Sequence, residues 1–272
     1  MARAIKEDIR MKELAPRVAV LKTDGINCDE ETASAFLIVG ARPTTIHVNE
    51  LRQREQSLKD YQILAIPGGF SYGDDVASGK ILALELNSYL ADQLNEFTQK
   101  QKGLILGVCN GFQVLVRTGL LPFGTMGEMK ATLQNNDSGK FECRWIDLKV
   151  EKKSACVFLE GMDPKVSFQV AHGEGKFFAN PQELERVEAE KLVVLRYCDV
   201  NGNPTQDHPA NPNGSLNAIA GITDPSGRIL GLMPHPERFI TKTQYPNWRR
   251  MPDLKPQGLP IFQSMVNFAK GM

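Results

Sequence analysis

The stretch Gly107-Val108-Cys109-Asn110-Gly111-Phe112-Gln113 decides the fold. A short apolar run, Leu104-Ile105-Leu106, leads into it. A helix-compatible run, Val114-Leu115-Val116-Arg117-Thr118, leads out to Gly119, which can stop a helix. The pattern is small-x-nucleophile-x-small at a strand-to-helix turn, with a thiol as the nucleophile. Such a turn takes glycine on both sides because the backbone bends sharply and neighbouring chains crowd it. The bend holds Cys109 beyond the end of a sheet, where the N–H groups opening the next helix lower the pKa of a thiol. A free cysteine is more often a small buried hydrophobe. The flanking glycines and a compatible histidine elsewhere favour the reactive reading.

Upstream, strands and helices alternate. Arg17-Val18-Ala19-Val20-Leu21 reads as the first buried strand. Asp24-Gly25-Ile26-Asn27 is turn-like, and a helix is expected from about Cys28, capped by Asn27, with Asp29, Glu30 and Glu31 in its first turn. Ala33, Phe36, Leu37 and Gly40 share one face of that helix and are expected to pack on the sheet. Cys28 lacks the glycine-flanked turn and reads as structural, as does His47 in the strand-like run Thr44 to Val48. Tyr61 to Ile66 is the third strand, ending in Pro67-Gly68-Gly69-Phe70-Ser71-Tyr72-Gly73-Asp74. Those glycines let the backbone approach a ligand and aim N–H groups at an anion. The chain has neither GxxxxGK[ST] nor GxGxxG, so an oxyanion loop fits better than a phosphate cradle. Leu82, Leu86, Tyr89, Leu90, Leu94 and Phe97 form a helical stripe over Ser78 to Gln101. The alternation predicts an α/β fold, flavodoxin-like, with a central, mostly parallel sheet flanked by helices and functional loops at the strands' carboxyl ends. Gly69 and Cys109 share that edge.

After Pro122 the pattern turns β-rich. Lys130 to Leu133, Cys143 to Val150, Val166 to Ala171, Leu192 to Tyr197, Leu216 to Ile222 and Arg228 to Met233 read as strands of an antiparallel extension. It ends in Met233-Pro234-His235-Pro236-Glu237-Arg238, where two prolines keep the backbone extended. Residues two apart then face one side, so Glu237 can orient the imidazole of His235. Residues 241–259 read as a polar surface loop, and Pro260 opens a last helix with Ile261, Met265 and Phe268 inward. Residues 1–16 are expected as an N-terminal arm ahead of a single domain over 17–272.

Composition narrows the class. With 32 basic and 32 acidic residues the net charge is zero, which argues against a dedicated nucleic-acid or anionic-membrane surface. Five irregularly spaced cysteines without CxxC point to a reducing compartment, hence the cytoplasm. No apolar run approaches the ~18 residues of a membrane span. A Cys nucleophile needs a base, and the base an orienter. Among four histidines, His235 with Glu237 completes the most economical triad with Cys109. His172-x-Glu174 and His235-x-Glu237 are also metal-binding spacings, but no second Cys lies near Cys109 and no Pro-Cys-x-x-Cys is present, so no metal is expected.

The motif around Cys109 resembles the nucleophile motif of triad-type glutamine amidotransferases, and Pro234-His235-Pro236-Glu237 resembles their His/Glu motif. Pro67 to Asp74, Ala171-His172-Gly173-Glu174-Gly175 and Asn211-Pro212-Asn213-Gly214-Ser215 resemble a narrower group, the glutaminase subunits of phosphoribosylformylglycinamidine synthase in purine biosynthesis. The similarity runs from about Arg17 to Arg238. It implies that Cys109 attacks the side-chain amide of L-glutamine, that His235 serves as base and acid with Glu237 behind it, and that N–H groups of Gly69 or Phe70 and of Asn110 hold the oxyanion. It also implies that Gln113, His172, Gly173 and Glu174 help hold glutamine. By the same resemblance, ammonia passes to a large formylglycinamidine ribonucleotide synthetase, often accompanied by a small accessory subunit. ATP and Mg then belong to the synthetase, with no cofactor in this chain. Two rival readings are a glutaminase serving a different synthase and a non-catalytic binding subunit on the same scaffold.

Overall fold

The computed structural model describes residues 15–272, so the arm expected over 1–16 falls almost wholly outside it. Eleven strands are formed: β1 (Arg17–Lys22), β2 (Arg42–His47), β3 (Ile63–Ile66), β4 (Leu104–Val108), β5 (Ala131–Gln134), β6 (Glu142–Val150), β7 (Lys165–His172), β8 (Lys176–Ala179), β9 (Val193–Tyr197), β10 (Ile219–Thr223) and β11 (Ile229–Leu232). The α-helices are α1 (Asp29–Ile38), α2 (Val48–Arg52), α3 (Lys80–Tyr89), α4 (Ala91–Asn95), α5 (Asn110–Thr118), α6 (Pro181–Ala189) and α7 (Leu259–Lys270).

One nine-stranded sheet runs β2-β1-β3-β4-β11-β10-β9-β6-β7, while β5 and β8 pair separately. The five strands from β2 to β11 are parallel, and those from β11 to β7 pair antiparallel. Every residue of β3, β4 and β11 is buried, as parallel strands covered on both faces must be. β7 instead alternates, burying Val166, Phe168, Val170 and His172, the period of a strand with one covered face. The winding reverses between β1 and β3, and a crevice opens at the carboxyl ends where it does.

Several local expectations are corrected. Cys28, not Asn27, occupies the N-cap of α1 and makes no side-chain cap bond. The inward residues of α1 are Asp29, Thr32, Ala35 and Phe36, while Leu37 is 65% exposed. The helical stripe breaks at Leu90 into α3, α4 and a π-turn over Glu96–Lys100. Tyr89 faces outward beneath the Arg52 guanidinium. In α7, Ile261 and Met265 are buried but Phe268 is not. β8 and α6 were not anticipated.

Candidate active site

The turn between β4 and α5 is tight because two glycines let it be. A Cβ on Gly111 would lie 1.9 Å from the Ile66 carbonyl oxygen of β3, and one on Gly107 2.5 Å from Leu115 Cδ1. The glycines therefore serve close packing, and the strained residue is the cysteine itself, at φ 52° and ψ −104°. Cys109 N–H donates to Leu232 O at 2.8 Å, which ties the end of β4 to the end of β11. Two residues beyond Met233, His235 N–H donates to Gln169 O of β7 at 2.8 Å. Pro236 then opens a 3-10 turn, Pro236–Phe239, that swings Glu237 back under the ring. His235 Nδ1 and Glu237 Oε1 are 2.5 Å apart, and both side chains are fully enclosed.

Gly68 brings base and nucleophile together. A Cβ there would stand 2.8 Å from His235 Cε1, 3.3 Å from Cys28 Sγ and 3.4 Å from Cys109 Cβ. The Cys109 Sγ lies 3.5 Å from Ala171 O. His235 Nε2 is buried without a hydrogen-bond partner among the described residues. Burial by itself pushes the imidazole pKa down, but Glu237, Cys109 and Cys28 outweigh it and hold His235 well above the ordinary histidine range.

The loop after β3 is stitched to the loop after β1. Gly69, at φ 142°, bridges Ile26, and Phe70 N–H donates to Gly25 O at 2.9 Å. Phe70 is therefore not a free oxyanion donor in this conformation, and its ring lies outward against Phe141. The available groups are Gly69 N–H and, in the first turn of α5, Asn110 N–H, which has no intrahelical acceptor.

The residues expected to hold substrate converge on one wall. Asn110 Nδ2 donates to Gln113 Oε1 at 3.0 Å and to Asp74 Oδ1 at 3.1 Å. Gln113 Nε2 donates to Glu174 O at 2.6 Å. The Glu174 carboxylate pairs with Arg117 at 3.5 Å, and Gly173 O accepts from Asn136 N–H at 2.9 Å. An open cleft of about 490 Å³ beside this wall is lined by Arg117, Asp137, Glu174 and Lys176, charges of both signs. His172 is buried with both ring nitrogens engaged, Nδ1 by Asn136 Oδ1 at 3.1 Å and Nε2 by Asn213 Nδ2 at 3.4 Å. Burial and the nearby His235 lower its pKa to about 4, so the ring is neutral and braces the wall rather than reaching into the site. His47 caps α2, and His208 lies near Glu142.

The sequence reading took Cys28 as structural and gave Arg238 no role, yet both are neighbours of the dyad. Cys28 is buried against it, and Arg238 Nη2 donates to Cys28 Sγ at 3.2 Å. The available signal was topological: Cys28 follows β1 as Gly69 follows β3, on either side of the switch point. Among the described residues the one His/Cys/acid group compact enough for a metal ion is Cys28, His235 and Glu237. Two of these form the dyad, and His172 and Glu174 do not join it.

Comparison with known proteins agrees with this geometry. A model of the CobB/CobQ-like glutamine amidotransferase domain matches residues 15–269. The chain is 44% identical over 256 residues to phosphoribosylformylglycinamidine synthase subunit PurQ of Dehalococcoides mccartyi, covering 93% of this chain and 98% of that one. It is 40% identical over 272 residues to the subunit of the same name from Methanococcus maripaludis, covering 95% and 99%. A chain of the solved PurLQS structure from Thermotoga maritima is similar with a TM-score of 0.70 and 32% identity, over 93% of this chain and 99% of that one.

Proposed function

Because this chain belongs to the CobB/CobQ-like glutamine amidotransferase family, alongside the PurQ subunits of phosphoribosylformylglycinamidine synthase, we propose that it releases ammonia from L-glutamine at Cys109 and passes it to a synthetase partner. The observation that carries this reading is the strained, glycine-packed cysteine beside a buried His235–Glu237 pair. The sulfur attacks the side-chain amide carbon, and the oxyanion is met by N–H groups of Gly69 and Asn110. Each such donor contributes about 3 kcal/mol to the transition state. His235 gives its proton to the departing ammonia, then takes one from the water that cleaves the glutamyl thioester. Glu237 fixes the tautomer and balances the imidazolium. Gln113 and the backbone of Gly173 and Glu174, held in place by His172, form the substrate wall.

The acceptor is formylglycinamide ribonucleotide on the partner, in purine biosynthesis. ATP and Mg serve that partner's ligase step, and this chain is assigned no cofactor. In this reading a small accessory subunit joins the assembly. We place the protein in the cytoplasm: all five cysteines are free, and no helix among the described residues is long and apolar enough to cross a membrane. In the reconstituted complex, Cys109→Ala abolishes synthesis from glutamine and spares synthesis from added ammonium. Loss of both activities in a folded variant would give Cys109 a structural role instead.

A further inference from the structure

The catalytic centre carries one more negative charge than positive. When the Cys109 thiolate faces the His235 imidazolium, the Glu237 carboxylate beneath it makes the set net anionic, and it is enclosed: Cys109, His235 and Glu237 are 5%, 1% and 0% exposed. An uncompensated buried charge is costly. A cation that reaches this set is Arg238. Its backbone N–H donates to His235 O at 3.3 Å, Nη1 donates to Gln169 Oε1 at 3.5 Å, and Nη2 donates to Cys28 Sγ at 3.2 Å. Cys28 is held in turn by its own N–H to Gly68 O at 3.2 Å, which sets its sulfur against the imidazole.

We propose that Arg238 is the fixed cation of the catalytic centre, a positioning residue seated on the Cys28 sulfur that balances the thiolate–imidazolium–carboxylate set and keeps Cys109 ionised. The other groups facing that set do not supply this charge. His172 from β7 is neutral, Tyr197 from β9 is a buried phenol that lies near Cys109 and has its pKa raised, and Glu142 lies beyond His172. The guanidinium feels Cys28, Glu237 and Cys109 together, which raises its own affinity for its proton despite burial. Cys28 is then not an idle core thiol. Its polarisable sulfur accepts from Arg238 on one side and packs on the imidazole on the other, so the cation is fixed without a second carboxylate that would cancel it.

The proposal rests on Cys109 being the nucleophile but not on the identity of the acceptor, and its test uses no ribonucleotide. The rate of Cys109 alkylation by iodoacetamide is followed against pH on the full chain, with the modified peptide identified by mass so that Cys28 is scored separately. Removing a nearby cation disfavours the thiolate, so Arg238→Gln moves the Cys109 midpoint up by about one unit. It also lowers kcat/KM for glutamine at neutral pH about tenfold, through kcat, with KM little changed. Arg238→Lys keeps the charge and restores most of the midpoint. Cys28→Ala unseats the guanidinium and moves the midpoint in the same direction by less. A wild-type midpoint in Arg238→Gln, with only the melting temperature lowered, overturns the proposal. Should that variant not fold, a wild-type midpoint and a normal kcat in Cys28→Ala overturn it equally. A failure of the glutaminase reading itself is distinguishable, because Cys109 would then show no preferential alkylation in the wild type.

Discussion

Two histidines share this site and are held in opposite protonation states. Burial pushes both imidazoles down. His235 recovers because Glu237 accepts at Nδ1 and two sulfurs face the ring. His172 has only the amides of Asn136 and Asn213, and a charged His235 nearby. The pH consequences have opposite signs. For His172 the unfolded chain takes up a proton from about pH 6.5 downward, while the folded one refuses it until about 4. Its stability is thus complete above 6.5 and falls by about 3 kcal/mol as pH drops to 4. In urea unfolding at pH 7 and 4.5, His172→Gln should be the weaker protein at pH 7 yet lose less on acidification; equal losses would sink this account. For His235 the stabilisation is complete below about 6.5 and lost only as pH rises through the raised folded value. The gap in melting temperature between wild type and Glu237→Gln should therefore narrow as pH rises well above neutrality. The same variant leaves the ring in place but frees its tautomer, and kcat should fall by roughly 10³- to 10⁴-fold. These residues were legible in sequence because proline and glycine fix their spacing. Cys28 and Arg238 were not, because their contact joins positions far apart in the chain.

At the scale of elements, what could be read was what local pattern encodes. Apolar runs gave the buried parallel strands, and β-rich runs between turns gave the strands of the extension. Helix faces were less legible. In α1, Asp29 is buried because Lys22 Nζ reaches its carboxylate at 2.6 Å. Thr32 is buried because its hydroxyl donates to Cys28 O at 2.7 Å. Two polar residues on the inner face displaced Leu37 and Ile38 to the surface, which hydrophobic periodicity cannot foresee. β8 is only four residues long, Lys176–Ala179, too short to show a period. α6 did carry a signal, Asn180 ahead of Pro181, and Asn180 Oδ1 indeed accepts from Glu183 N–H at 2.9 Å. Two glycine- and cap-based substitutions separate these cases. Gly111→Ala drives a methyl into the Ile66 carbonyl and should cost about 3 kcal/mol or more with loss of glutaminase. Asn180→Ala removes one cap, should cost about 1 kcal/mol, and should leave activity alone. If Gly111→Ala melts as late as Asn180→Ala, close packing does not explain the glycine.

Across the whole molecule, the site is assembled from strand ends that the chain reaches at very different times. Cys28 follows β1, Gly69 follows β3, Cys109 follows β4 and His235 follows β11. The far edge strand of the extension, β7, closes back on the centre, since Gln169 bridges His235 and Ala171 O meets the Cys109 sulfur. That return could not be read from sequence, because it depends on the curl of the whole sheet rather than on any local period. It makes the extension a cover for the nucleophile. In the Gly68–Asp74 loop one expected oxyanion donor is engaged elsewhere. Phe70 N–H, one of the groups suited to an oxyanion, is held by Gly25 O at 2.9 Å. A single missing donor costs about 10²- to 10³-fold in rate. If docking of the synthetase frees Phe70 N–H to join Gly69 and Asn110, the isolated chain works without that donor and spares glutamine. Ammonia release from glutamine by the isolated chain should then be at least about 100-fold slower than in the assembled complex, with Cys109→Ala silent in both. If the free chain hydrolyses glutamine as fast as the complex does, the Phe70–Gly25 bond is no restraint, and Gly69 and Asn110 suffice as donors.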